Sequence, residues 1–419
     1  MQSASTYDYD VFIIGGGPSG STAGAYLAQQ GKRVLIAEKG PFPAYRIGES
    51  MLPNGNRLFR KAGSWDKVEA GGFIQKLGAE FETGDGRYRV HNVFRNGLQP
   101  DLPYSYQVER PRFDQLLLEH AADSGASVDQ TADIRKAVAL DQGGYRLEAA
   151  DGRSWTAKWL IDASGRRCFL GRQWKLPQSP NPYPSRIAVY NHFEGVHRRP
   201  APDDGNIIVT RRKGGWSWHI PINESTTSIG MVTLTEDFKR SGMSPEDWFR
   251  HCVSQSPVVQ QRLENARTLT EYRTTVDYSY MYDSFVGDRY FLTGDAATFS
   301  DPIFSAGIYL GMESSLLAAD MLLKAEATGR ALTPREQTHY NNELGKSTQI
   351  MRELIDTYYN DSGFAVFMNP TNKFQLFAAV NTIVAGNTRP GFGVRWRYAL
   401  FRLICRLNKN YRIVPAVLK

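Results

Sequence analysis

The sequence predicts an α/β fold: a Rossmann-like dinucleotide-binding domain assembled from discontinuous segments, an inserted β-sheet domain and a helical C-terminal section. Three observations predict it. Residues 8–38 read as strand, glycine-rich turn, helix and strand, closing on an acid, the order of a dinucleotide-binding βαβ unit. Sequence of the same character returns at about 105–170 and at 285–325, with a β-rich stretch between. After Pro334 the pattern is helical almost to Ala385. The expected organisation is a nucleotide domain from residues 1–50, 105–170 and 285–330, a β-rich substrate domain from 51–104 and 171–284, and a helical section over 331–419.

The opening unit carries the clearest mechanics. An apolar run, Tyr9 to Ile14, enters Gly15-Gly16-Gly17-Pro18-Ser19-Gly20. A helix over Ser21–Gln30 follows, with Ala23, Tyr26 and Leu27 at packing positions, and then a second apolar run, Arg33 to Glu38. Gly15 permits the tight turn, Gly17 lets the backbone approach a pyrophosphate, and Gly20 lets the helix lie close to the sheet. The helix N-terminus offers free N–H groups and a positive dipole end to phosphates. Glu38 lies 18 residues after Gly20, where a carboxylate accepts hydrogen bonds from ribose hydroxyls.

Pro41 to Pro53 is loop-like and contains Arg46-Ile47-Gly48-Glu49-Ser50. A helix is expected over Asn54–Ala70, strand-like structure over Gly71–Phe81, and a helix over Arg112–Asp123, where Phe113, Leu116, Leu117 and His120 share a face. Short strands run from Val128 to Ile161, broken by Gly143-Gly144 and Asp151-Gly152, both hairpin signals. Strands are clearest at Ile187–Phe193, Asn206–Arg211, Trp216–Ile222 and Thr227–Thr233, interrupted by a helix over Ser244–Ser256. Tyr290 to Ala297 leads into a long helix, Gly307–Glu326, and a basic amphipathic helix spans Val394–Leu407.

Composition narrows the class. The chain has 419 residues, 41% of them apolar, and no run of 18 apolar residues, so no transmembrane helix is expected. The N-terminus lacks the pattern of a secretion signal. Cys168, Cys252 and Cys405 are widely spaced and odd in number, which gives neither a metal site nor a disulfide framework and suits a cytoplasmic protein. The net charge of +7 favours acidic partners. No basic run is interleaved with stacking aromatics, so nucleic acid is not an expected partner.

Later motifs carry a resemblance. Thr293-Gly294-Asp295-Ala296-Ala297, Asp162-Ala163-Ser164-Gly165-Arg166 and the segment around Arg110 (Val108-Glu109-Arg110-Pro111) stand in the order found in para-hydroxybenzoate-hydroxylase-like flavoproteins. The resemblance implies FAD, with Asp295 on the ribityl chain and Arg110 near the flavin. Gly15, Gly17, Ser19, Gly20, Glu38, Lys39, Arg46, Ser50, Asp162, Gly294 and Gly307 complete the expected cofactor site.

A narrower resemblance is to flavin-dependent halogenases. It rests on Gly215-Trp216-Ser217-Trp218-His219-Ile220-Pro221, on Phe299 to Gly307, and on Lys76 in Phe73–Ala79. The chain is similar to the shorter members acting on phenols, pyrroles and carrier-bound acyl groups. The resemblance implies that reduced FAD, O₂ and chloride or bromide yield hypohalous acid, and that Lys76 relays the halogen. The amides of Ser305, Ala306 and Gly307, at the start of the long helix, are the expected halide site. Trp216 and Trp218 alternate at strand spacing and face one side, and the resemblance implies that with Phe304 they separate flavin from substrate. Phe304 stands where tryptophan halogenases carry a glutamate, which favours a phenol or pyrrole. His219 is expected to face outward. Tyr358 and Tyr359 fit either core packing or a pocket mouth.

The sequence contains no nicotinamide site, so a separate flavin reductase is the expected partner. The alternatives are a non-halogenating monooxygenase or reductase of the same fold, and a flavin-binding subunit without turnover. For the C-terminal helix three readings stand. Its apolar Trp396, Ala399, Leu400, Leu403 and Ile404 pack on the core, or its basic side (Arg395, Arg402, Arg406) docks an acidic carrier protein, or it lies on a membrane surface.

Overall fold

A computed structural model of the chain describes residues 7–99, 101–180, 183–277, 279–299 and 301–417, with the Asp277 side chain outside that description. The first sheet has seven strands. Tyr9–Ile14 sits at its centre, parallel to Val34–Ala37 on one side and to Ser154–Asp162 on the other. Ser127–Asp129 extends the edge beyond Val34–Ala37. On the other flank Tyr290–Leu292 pairs in parallel with the end of Ser154–Asp162, whose beginning pairs antiparallel with Tyr145–Ala149. Val11 to Ile14 and Val34 to Ala37 are buried throughout, as strands covered on both faces must be.

The first helix starts at Pro18, three residues before the sequence placed it, because proline suits the first helical position. It packs on the long helix Gly307–Ala327. The expected helix over Asn54–Ala70 is two, Gly55–Lys61 and Trp65–Glu69. Gly63, at φ 73°, turns the chain between them. Gly71–Phe81 likewise divides: Ile74–Lys76 pairs with Ser105–Gln107, whereas Gly78–Thr83 joins another sheet.

That sheet has eight strands, running Arg267–Thr268, Arg186–Glu194, Thr226–Leu234, Gly215–Pro221, Ile207–Arg212, Gly78–Thr83 and Arg89–Val93, with Arg273–Asp277 also paired to Arg186–Glu194. Alternation sorts its faces. Ala188, Tyr190, Trp216, Trp218, Ile220 and Val232 share one hydrophobic core with the C-terminal helices. Val189, Ile229 and Met231 face the other way, beneath Pro245–Ser254. His219 is on that second face and is buried, not solvated. Burial, together with the nearby Arg262 and Arg199, pushes its pKa well down and keeps the ring neutral.

The helical section comprises Pro334–Tyr359, Asp361–Phe367, Leu376–Val384 and Phe392–Tyr411. The first opens with a capping box: the Thr333 hydroxyl accepts from Glu336 N, and the Glu336 carboxylate accepts from Thr333 N at 2.8 Å. The last corrects the expected helix. Val394, Tyr398, Phe401 and Asn408 form its buried side, whereas Trp396, Ala399 and Leu403 are exposed.

Candidate flavin and substrate site

A cavity of about 730 Å³ lies between the two large sheets, within the usual range for a ligand site. One end is the glycine turn. Gly15, at φ 106°, packs so tightly that a Cβ there would stand 2.4 Å from Ala163 O. A Cβ on Gly20 would stand 1.9 Å from Gly15 O, whereas a Cβ on Gly17 would meet nothing within 4 Å. Gly17 therefore opens onto the cavity and Gly20 does not. The wall continues through Ser19, Glu38, Lys39, Arg46, Ser50, Arg110, Asp295, Ser305 and Gly307. Glu38 accepts from Gly16 N at 2.8 Å, which holds the carboxylate at the turn.

Three expected cofactor residues stand behind this wall. Gly20 closes the contact between turn and helix. Asp162 is buried and accepts from Ser164 N at 2.9 Å and Leu170 N at 2.7 Å, so it shapes the turn whose residues 163–167 line the cavity. Gly294 donates its amide to Ser314 Oγ at 2.9 Å, and a Cβ there would press on Ser19 Oγ and Gly311. Asp295 does reach the cavity. Burial raises its pKa to about 6, while Arg166 and Arg110 pull it back. Arg110 is buried and clamped, donating to both Asp114 oxygens and to Ile47 O.

Lys76 is buried and does not line the cavity. Its Nζ donates to Ser50 Oγ at 2.8 Å and to Met51 O at 3.0 Å. Desolvation pushes the amine down to about 7, because burial disfavours the charged form. Both acceptors are neutral, so no anion restores the charge.

Trp216 and Trp218 line the opposite part of the cavity with ring centroids 6.0 Å apart. Gly230 on the neighbouring strand makes room for Trp218, whose ring lies 2.2 Å from where a Cβ would be. Trp216 Nε1 donates to the Tyr359 hydroxyl at 2.7 Å, and that hydroxyl donates to Asp301 Oδ2 at 2.5 Å. Phe304 departs from its expected place. It packs against Phe81, Tyr358 and Phe367 and borders a small separate cavity of about 30 Å³. It does not stand between the two halves of the large one. Ala306 borders the small cavity, Ser305 the large, and Gly307 both. Ser305 N already donates to Pro302 O at 2.8 Å, so its amide is not available to a halide. The Ala306 and Gly307 amides have no acceptor among the described residues.

Sequence reasoning passed over two groups. Glu49, on the cavity wall, is buried, and its Oε1 lies 2.7 Å from His192 Nε2. It sits inside the segment Arg46–Ser50 already singled out, but His192 is remote in sequence, on the strand Arg186–Glu194 of the inserted sheet. Asp301 lies in the motif before the long helix, and its link to Trp216 through Tyr359 spans separated segments.

The fold and this wall define an FAD-binding flavoprotein, and residues 8–342 match the family described as FAD binding domain. The chain is 31% identical over 380 residues to the 1H-pyrrole-2-carbonyl-[peptidyl-carrier protein] chlorinase of Pseudomonas fluorescens, covering 85% of this chain and 84% of that protein. It is 34% identical to the tryptophan 2-halogenase of Chondromyces crocatus over 74% of this chain and 60% of that protein. The solved flavin-dependent brominase Bmp2 superposes with a TM-score of 0.85 at 27% identity, covering 96% of this chain and 99% of that one. The chain belongs to the flavin-dependent halogenases. Among the described residues, no helix is long and apolar enough to cross a membrane and no metal-ligand cluster forms.

Proposed function

We propose that this enzyme uses reduced FAD, O₂ and chloride or bromide to halogenate an electron-rich aromatic of phenol or pyrrole type, carried on an acyl or peptidyl carrier protein. A separate reductase supplies the reduced flavin. The observation that carries the reading is the amine of Lys76, buried directly behind Ser50 in the cavity wall and lowered to about 7.

The residues fit the cofactor. The opening in front of Gly17 and the helix N-terminus behind it suit a pyrophosphate, Glu38 a ribose, and Asp295 a polyol chain. Bound reduced FAD would supply the two electrons and two protons by which O₂, a halide ion and one further proton become hypohalous acid and water. The Ala306 and Gly307 amides hold the halide, and Ser305 contributes its hydroxyl at most. With the Ser50 side chain turned aside, the uncharged Lys76 amine behind it meets the hypohalous acid and holds it by hydrogen bonding, or exchanges an N–H for an N–halogen bond with loss of water. The aromatic carbon then takes the halogen, the ring loses its proton, and the amine N–H is restored. Trp216 and Trp218 keep the substrate from the flavin side and so suppress hydroxylation. Phe304 supports the wall from behind.

The reading is tested by incubating the protein with FAD, a reductase, NADH, bromide or chloride, and phenols and pyrroles, both free and carrier-bound. A halogen isotope pattern by mass spectrometry is expected. Gain of one oxygen in place of halogen overturns it in favour of a monooxygenase, and flavin binding without product in favour of a binding subunit.

A further inference from the structure

We propose that the C-terminal helix Phe392–Tyr411 is the docking surface for the acidic carrier domain that brings the substrate; this rests on the carrier-bound reading above. The helix is anchored through Val394, Tyr398 and Phe401, in the same core as Trp216 and Trp218. Its opposite side is bare. Phe392 is 83% exposed, Trp396 37%, Leu403 48%, Leu407 37% and Tyr411 73%. These residues recur at steps of four and seven, one stripe of a helix. An aromatic and aliphatic stripe in water of this length marks an interaction site.

Charge names the partner. After Asp361 the chain contains nine Lys and Arg and not one acid, more than its whole net charge of +7. Arg395, Arg406, Lys409 and Arg412 flank or end the stripe, are exposed, and join no ion pair among the described residues. Arg402 is excluded from this set, since Glu353 holds it at 2.7 Å. A second copy of this face would bring like charges together, which opposes self-association. An acidic surface with an apolar centre, such as a carrier domain presents, satisfies both features.

The test uses the full-length protein with Arg395→Glu, Arg406→Glu and Lys409→Glu combined, and separately Leu403→Ser with Trp396→Ser. Binding of a fluorescently labelled, acyl-loaded peptidyl carrier domain is followed by anisotropy. Turnover is followed on that carrier and on the same acyl group as a small free thioester. Charge reversal is expected to weaken binding and raise KM for the carrier at least about tenfold, with wild-type binding falling steeply in salt. The free thioester should keep its kcat and KM within about twofold, as rim charges act on encounter and not on chemistry. Unchanged carrier binding in both variants overturns the proposal. So does equal loss on carrier and free thioester, wild-type dimerisation that the serine variants abolish, or flotation with phosphatidylserine vesicles that charge reversal abolishes without affecting the carrier. Carrier binding without halogenation of any substrate would sink the functional reading and leave the docking surface standing.

Discussion

Lys76 Nζ donates to Ser50 Oγ across 2.8 Å, and of the two only Ser50 reaches the cavity. The pair is held by strand pairing: Lys76 lies opposite Ser105, and Ser50 bridges to Gln107 on the same strand. A lysine with solvent access would keep its proton at neutral pH. This one sits one side chain deep and loses that preference, while Ser50 keeps it aimed at the wall.

Lys76→Met should abolish halogenation, leaving FAD binding and flavin reoxidation within about twofold of wild type, since no cavity-lining atom is removed. Ser50→Ala should lower halogenating kcat by about tenfold or more and move the pH profile of that step, because Ser50 sets where the amine points. Product by mass spectrometry beside flavin absorbance separates the two activities. Halogenation by Lys76→Met near the wild-type rate removes the lysine from the mechanism.

The same burial sets a pH dependence of stability. The folded value of about 7 lies below the usual 10.5, so between those values the unfolded chain binds more protons than the folded one. This group therefore makes stability rise with pH across that window, and below it the penalty is complete. Lys76→Met removes the group. The variant should exceed wild type by on the order of a few kcal/mol at pH 7, and the gap should narrow by pH 10. Urea unfolding at the two pH values measures it; a gap independent of pH contradicts a neutral buried amine.

The glycine turn separates a contact with the cofactor from a contact within the fold. Gly17→Val places its side chain in open space and at an ordinary φ of −70°. It should leave thermal stability within about 1 kcal/mol while cutting FAD affinity at least about a hundredfold, as the side chain takes the pyrophosphate's place. Gly20→Ala, driven onto Gly15 O, should destabilise the protein itself. Circular dichroism and flavin fluorescence on both variants decide. Wild-type FAD affinity in Gly17→Val is incompatible with the assigned site.

How far the sequence carried depends on the range of each interaction. The α/β class, the first βαβ unit and the tryptophan face follow from local periodicity, and the structure places them as read. Roles that depend on which side of a tight loop faces the cavity were not legible. Gly294 and Asp162 stand in the flavoprotein motifs, yet they brace the wall from behind, and Phe304 turns into an aromatic cluster. The C-terminal helix forms where the sequence placed it, but its packed side was not legible, for another reason. It carries apolar residues on two sides, and hydrophobic spacing alone cannot tell the side packed on the helices Asp361–Phe367 and Leu376–Val384 from the side left in water. Glu49 with His192, and Asp301 with Tyr359, depend on long-range pairing that no local pattern encodes.

The chain Trp216–Tyr359–Asp301 yields the last prediction. Asp301 is half-buried, and desolvation of its carboxyl raises its pKa, which the Tyr359 hydroxyl opposes by donating to the carboxylate. Its backbone neighbours run directly into Ser305 and Gly307, so one tyrosine ties the tryptophan wall to the proposed halide loop. Tyr359→Phe removes the acceptor from Trp216 Nε1 and the donor from Asp301 at once. Unfolding free energy should fall by about 1–3 kcal/mol, the cost of leaving buried polar groups unpaired. The freed Trp216 ring should let substrate and water past it. Halogenated product per O₂ consumed then falls and hydrogen peroxide or hydroxylated product rises, while FAD affinity holds. Trp216→Phe breaks the same Trp216–Tyr359 hydrogen bond from its donor side, so combining it with Tyr359→Phe should cost less than the two losses added. Additive losses, or an unchanged product-to-O₂ ratio in Tyr359→Phe, would show that the tryptophan wall stands without this tether.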